Sequence, residues 1–157
     1  MKKIIIAAAL FFCSTCVIAQ NTELPVPKNL KPLAPPDLRV EELSLVSVIR
    51  DGNLKKINIQ VLIRIKNYGQ LYAGASTAVA YIKSPAGTGT QKTFVTTFPT
   101  VSINPGASFV KVFTFREGEG AFKPGTFDFW LKADARNAVA ESDETNNTSA
   151  VININVP

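Results

Sequence analysis

Glu141, Asp143, Glu144, Asn146 and Asn147 fall within seven positions of the stretch "NAVAESDETNN", in a chain of 157 residues that contains no histidine. Oxygen groups this dense suit four kinds of chemistry. A hard cation such as calcium takes about six to eight oxygens, so Glu141, Asp143 and Glu144 are candidate metal ligands, with Asp134 expected near them in space. The spacing is not that of an EF-hand loop, which needs a central glycine, and none lies between Asn137 and Asn155. Glu141 and Glu144 could serve as acid and base only if held across a cleft at a set separation, which two residues of one turn do not provide. Asn146-Asn147-Thr148 and Asn147-Thr148-Ser149 match the N-glycosylation sequon. The fourth use is structural: asparagine tolerates the left-handed backbone and bonds back to its own chain, and carboxylates accept hydrogen bonds from loop amides that no strand satisfies. The turn accounts for most of these residues.

Enzymatic readings find little else to build on. Both cysteines, Cys13 and Cys16, stand in the apolar N-terminal segment, so with no histidine the usual pairings of nucleophile and base are missing. Without Lys2 and Lys3, the 17 basic residues become 15 against 12 acidic ones, a net of +3. The cations are scattered, whereas nucleic-acid binding needs them clustered. Three aromatic residues remain as candidate contacts for a partner: Trp130, which alternation turns outward among Asp128, Lys132 and Asp134, and Tyr68 and Tyr72 in the loop "NYGQLYAG". Tryptophan and tyrosine are enriched at binding hot spots and stack on ligands.

The elements that must position these residues are strands. In "KINIQVLIRIKN" Ile57, Ile59, Val61, Ile63 and Ile65 share one face, with Asn58, Gln60, Arg64 and Lys66 opposite and Leu62 the exception; this is the period-two pattern of a half-buried strand. Six further runs read the same way, over residues 37–50, 76–83, 92–98, 108–116, 126–135 and 149–156. Asp51-Gly52-Asn53, Asn67-Tyr68-Gly69, Pro105-Gly106 and Pro124-Gly125 supply the turns between them. In "SFVKVFTFR" the face of Phe109, Phe113 and Phe115 also carries Lys111, which either snorkels its ammonium from an edge or marks a bulge. Seven short strands in one domain of ordinary size predict an all-β, antiparallel, immunoglobulin-like sandwich over residues 37–157.

Ahead of it, Met1–Ala19 has the charged start, apolar middle and small residues of a secretory signal peptide, with cleavage before Gln20. A membrane anchor would need about 20 apolar residues, and the run is shorter and interrupted by Ser14 and Thr15. Phe12 and Thr15, standing before the two cysteines, do not suit lipid attachment. Residues 20–36 hold prolines at 25, 27, 32, 35 and 36 and read as an extended leader. The expected product is secreted, extracytoplasmic and without a membrane span.

The order of motifs resembles the CARDB family, the cell-adhesion-related domains of bacteria. Asn67-Tyr68-Gly69, Pro105-Gly106 and Pro124-Gly125-Thr126-Phe127 fall in its sequence of turns, and Val139, Glu141, Glu144, Asn146 and Asn147 match its V-x-E-x-x-E-x-N-N pattern place by place. The resemblance runs from about Asp37 to Val156. It implies an immunoglobulin-like module for adhesion or protein interaction rather than an enzyme, and hence an envelope or extracellular protein as partner. A glycan partner, or a calcium-stabilised structural role, are the alternatives; no other cofactor is implied.

Overall fold

Alternation between apolar and polar residues decides which face of each strand is buried, and it organises the computed structural model throughout. The structure describes residues 31–51, 56–84, 93–118 and 124–157. The signal peptide, the leader up to residue 30 and the Gly52-Asn53 part of the first turn lie outside the described residues. Seven strands follow in chain order: β1 (Leu38–Asp51), β2 (Lys56–Asn67), β3 (Ser76–Lys83), β4 (Thr93–Thr100), β5 (Ser108–Gly118), β6 (Gly125–Lys132) and β7 (Ile152–Val156). They form two antiparallel sheets, β1-β2-β5 and β4-β3-β6-β7, packed as a sandwich.

Strand β2 supplies the core of the first sheet, with Ile57, Ile59, Val61, Ile63 and Ile65 at most 1% exposed. Ala78, Ala80 and Ile82 of β3 and Phe127, Phe129 and Leu131 of β6 answer from the second sheet. Aromatic edges lock the layers together: Phe115 of β5 meets Phe129 of β6 at 5.3 Å, and Phe98 of β4 stacks on Phe113 of β5 at 5.1 Å. Each fully buried side chain of this size contributes roughly 1.5–3 kcal/mol before chain entropy is set against it.

Strand β1 shows how a broken alternation is resolved. Leu38, Val40, Leu43 and Val48, which pack in or against the core, pair with Asn67, Ile65, Ile63 and Ile59, while Leu45 pairs with Val61 and is 43% exposed; the register slips between Val40 and Glu42 and again between Leu45 and Ser47. Each slip admits one extra residue, Glu41 or Val46, and so restores the next apolar side chain to the core. No such slip occurs in β5, whose pairing with β2 runs without a break. Lys111 therefore stays on the inward face, opposite Ile63, and reaches over the ring of Phe98 with its ammonium 5.3 Å from the centroid. The snorkelling alternative holds. An inward charge on an edge strand also deters pairing with another chain.

Several strand boundaries differ from the sequence expectation. Strand β6 stops at Lys132 instead of running to 135, because Asp134 adopts a left-handed backbone (φ 37°) and the chain turns. Asp134, expected outward beside Trp130, is instead completely buried. Strand β7 begins at Ile152 rather than 149, since residues 148 and 149 are spent on a bridge between Thr148 and Lys132 and on two hydrogen bonds, the Ser149 amide donating to the Leu131 carbonyl and the Leu131 amide to Ser149 Oγ. Strand β4 runs two residues further, to Thr100.

Candidate functional site

The acidic turn is built as a clasp between the two ends of the domain. Beyond β6, both carboxylate oxygens of Asp134 accept backbone amides, from Ala138 at 3.0 Å and Val139 at 2.8 Å. This satisfies donors in a segment that has no strand partner and seats Val139 in the core. Two residues on, Glu141 reaches back to the first strand: one of its oxygens accepts the amide of Leu38 and the other accepts Asn147 Nδ2 at 3.0 Å. Glu144 closes a small ring by accepting the Glu141 amide at 3.0 Å. Asp143 accepts the amide and hydroxyl of Thr145, at 2.9 and 2.6 Å, and Asn146 Nδ2 at 2.9 Å.

Asp37 receives the turn from the other side. Its carboxylate accepts Asn146 Nδ2 at 2.9 Å and is bridged by Arg39 at 2.6 Å. Hydrogen bonding to Arg39 holds the Asp37 carboxyl below the usual range. Glu141 goes the opposite way: burial pushes its carboxyl up to about 7, and the nearby charges of Glu144 and Asp134 push the same way.

A second anchor, which the sequence reading treated only as part of a turn, is Asn67. Its side-chain oxygen accepts the amides of Asp37 and Gly69, at 3.1 and 2.9 Å, while Nδ2 donates to the carbonyls of Leu71 and Ile103, at 2.8 and 3.1 Å. All four hydrogen-bonding sites of a fully buried amide are thus used. The burial of so polar a residue was hinted at by its place on the apolar face of β2, two residues after Ile65. Between Asn67 and the acidic turn runs the end of the proline-rich segment: Pro36 accepts the Ser142 amide at 2.8 Å, and Ala34 accepts the Gln70 amide at 3.1 Å.

The three aromatic candidates do not form one platform. Trp130 stacks in parallel on Tyr81, its register partner in β3, with centroids 5.1 Å apart and planes at 7°. Neighbouring strands are about 4.8 Å apart, so two rings stacked at this spacing stand on edge from the outer face of the four-stranded sheet. Val95 of β4 continues the row beyond Tyr81 and is 57% exposed. Tyr68 belongs to the other sheet's end, where its hydroxyl donates to Glu41 at 3.0 Å and its ring lies beneath Arg39 and Lys66, at 5.1 and 4.7 Å. Tyr72 donates to Ser102 at 2.8 Å. Tyr81 was missed as a candidate although alternation in "STAVAYIK" turns it outward.

Among the described residues no three His, Cys, Asp or Glu side chains are grouped as a metal would need. A cavity of about 300 Å³ opens between the edges of β4 and β5, lined by Phe94, Val95, Thr96, Phe113, Thr114, Phe115 and Arg116. Its lining offers hydroxyls and one guanidinium but no carboxylate.

Solved structures share this fold. A CARDB domain from Pyrococcus furiosus, solved in complex with di-metal ions, superposes with a TM-score of 0.53 at 22% identity, over 80% of this chain and 96% of that one. β-Glucosidase 3B from Thermotoga neapolitana, in complex with glycerol, matches with a TM-score of 0.52 at 19% identity, over 78% of this chain but only 16% of the enzyme. The β-D-glucoside glucohydrolase from Trichoderma reesei gives 0.52 at 17% identity, with 19% of the enzyme covered. The likeness to both enzymes is therefore one of fold with a minor part of each. No curated protein sequence matches the chain. The family model for CARDB matches residues 35–151, the span that holds all the strands but the last together with the clasp, and the chain belongs to the CARDB family.

Proposed function

We propose that this chain is a binding module that holds a protein partner outside the cytoplasm through the outer face of the four-stranded sheet. CARDB domains are non-catalytic bacterial modules, and the small share of each β-glucosidase that is matched carries no catalysis over. The observation that favours this face is the Tyr81–Trp130 stack. A pre-stacked pair loses little side-chain freedom on binding, and its composition is that of a hot spot ringed by polar groups. The ring comprises Lys83, paired with Asp128 across the strands, Lys132 beyond Trp130, and Asn153, which donates to Asp128 at 2.9 Å. The same geometry favours protein over sugar, since each ring gives up one face to the other and a pyranose stacks on an open ring face. Extracytoplasmic placement rests on the sequence of Met1–Ala19.

The test is a pull-down from the producing cell's envelope extract, followed by direct titration of whatever protein is retained. Binding that Trp130→Ala and Tyr81→Ala each weaken at least tenfold, with both variants still folded, supports the reading. Retention of polysaccharide alone would favour the glycan alternative, and binding unchanged by either variant would rule this face out. A product from the producing cell whose N-terminus is still Met1 would count against secretion by cleavage.

A further inference from the structure

Strand order β4-β3-β6-β7 and the registers between neighbours set the outward side chains of the four-stranded sheet in rows. The middle row runs from Val95 through Tyr81 to Trp130. Val151 ends it: this residue precedes Ile152, the register partner of Phe129, and so falls beside Trp130. The two valines at its ends are 57% and 56% exposed. The next row runs Thr93, Lys83, Asp128, Asn153.

Both rows complement their own reversal. Read backwards, the first still presents valine, aromatic, aromatic, valine, while the second sets aspartate where lysine stood. A two-fold axis along the strands, placed between β3 and β6, makes that reversal between two molecules, because every contact across a dyad is made twice with the roles exchanged. It lays β3 of one copy over β6 of the other, and β4 over β7. Tyr81 then meets Trp130 of the second copy, Val95 meets Val151, and Lys83 meets Asp128. Complementary charge of this kind fixes register, whereas a dyad that set like charges opposite each other would oppose association.

The charges concerned are left over within one chain. Lys83 and Asp128 are register partners, and Asp128 accepts Asn153 Nδ2 at 2.9 Å. Among the described residues, however, neither Lys83, Lys132 nor Asp128 takes part in an ion pair. Lys132 stands at one end of the face, where the reversal sets it over Val79, only 8% exposed. Its stem can lie along the valine while the ammonium reaches water.

We infer, resting on the reading of this face as a protein-binding surface, that its partner is a second copy of the chain in a two-fold dimer with the four-stranded sheets face to face. Sheets packed in this way lie about 10 Å apart with their strands within about 30° of each other. Four strands about 4.8 Å apart and about eight residues long outline roughly 500 Å². That is at the low end of specific interfaces, so association is weak, with a dissociation constant of about 10⁻⁶ to 10⁻⁴ M.

The protein purified from its producing cell is followed by sedimentation equilibrium from about 1 μM to about 1 mM, a range that brackets such affinities. A monomer–dimer equilibrium is expected. Trp130→Ala, Lys83→Asp and Asp128→Lys should each weaken it at least tenfold. An equimolar mixture of Lys83→Asp and Asp128→Lys should associate about as tightly as the unaltered chain, since both contacts across the dyad then join aspartate to lysine. That rescue cannot come from within a chain, where the cross-strand neighbours remain alike in charge. Monomer at every concentration would overturn the dimer; retention of some other protein that still needs Trp130 would then leave the binding face standing, and its absence would remove both. A dimer indifferent to all three variants would overturn it too, because another surface would be in use, as would a mixture that fails to associate. Thermal melts confirm that each variant is folded, and the unaltered chain with Trp130→Ala decides the matter if a charge variant is not.

Discussion

The carboxylate of Glu141 accepts the backbone amide of Leu38 across 103 residues of sequence, and so ties the turn that follows β6 to the first residue of β1. Asn146 repeats the link to Asp37 and Ser142 repeats it to Pro36. The V-x-E-x-x-E-x-N-N pattern is thus the means by which the domain closes on its own beginning.

The clasp gives stability an unusual pH dependence. Glu141 titrates near 7 in the folded protein against an ordinary value of 4.5. The folded state therefore holds this proton more tightly than the unfolded chain, and stability falls as pH rises from about 4.5 to about 7. Asp37, whose carboxyl lies below the usual range, acts in the opposite sense and only under more acid conditions, where its protonation costs stability. In metal-free buffer the melting temperature should rise as pH is lowered from about 7.5 to 5.5, then fall below about pH 4. Glu141→Gln should flatten the upper limb; a flat upper limb in the unaltered chain would contradict the assignment.

Gly69 is fixed by contact. A Cβ on this residue would sit 2.1 Å from the Pro35 carbonyl oxygen and 2.6 Å from Pro36 Cα, both backbone atoms. Gly69→Ala must push the Ala34–Pro36 segment off the loop, at a cost of about 1–3 kcal/mol. A lower urea midpoint with an unchanged slope is the expected reading, and an unshifted midpoint would show that the segment is not held there.

Ile63 tests the core. It is completely buried between its neighbours in β1 and β5, Leu43 and Lys111. Ile63→Asn removes packing worth about 2–5 kcal/mol and buries an amide without partners at about 1–3 kcal/mol more. Against a typical total of about 5–15 kcal/mol, circular dichroism should show no cooperative melt. A normal melt would refute the inward orientation of β2.

Lys111 tests the edge. Replacing it by valine removes the charge that faces inward from β5 and leaves a strand with Val110 and Val112 about half exposed on its other face. Lys111→Val should melt at the same temperature or higher, yet sediment as larger species as concentration rises. Monomeric behaviour at every concentration would mean that the charge does not guard the edge.

Much of this architecture is legible in the sequence because burial follows alternation. The five apolar residues that alternate along β2 are the five that the core takes, and Leu62, the exception, is not among them. Even the two slips in β1 are written there, in the change of parity from Val40 to Leu43 and from Leu45 to Val48. The turn motif is legible as a turn, but its destination is not. That Glu141 binds Leu38, or that Trp130 meets Tyr81 and not Tyr68, depends on which strands become neighbours, and local pattern carries no information about partners distant in sequence. Asp134 misled for a related reason: alternation predicts an outward side chain only while the strand continues, and a left-handed residue ends it.

The long reach of the clasp also imposes an order of events. A growing chain emerges N-terminus first, and β1 can pair with β2 as soon as residue 67 is available. The Leu38 amide and the Asp37 carboxylate must nevertheless wait for Glu141 and Asn146, more than a hundred residues later. Contacts of such separation form late and slow the final step. Until then the opening of the first strand is an unfinished edge, so a chain cut short before Asn147 would carry most of its strands and still lack the bonds that complete it.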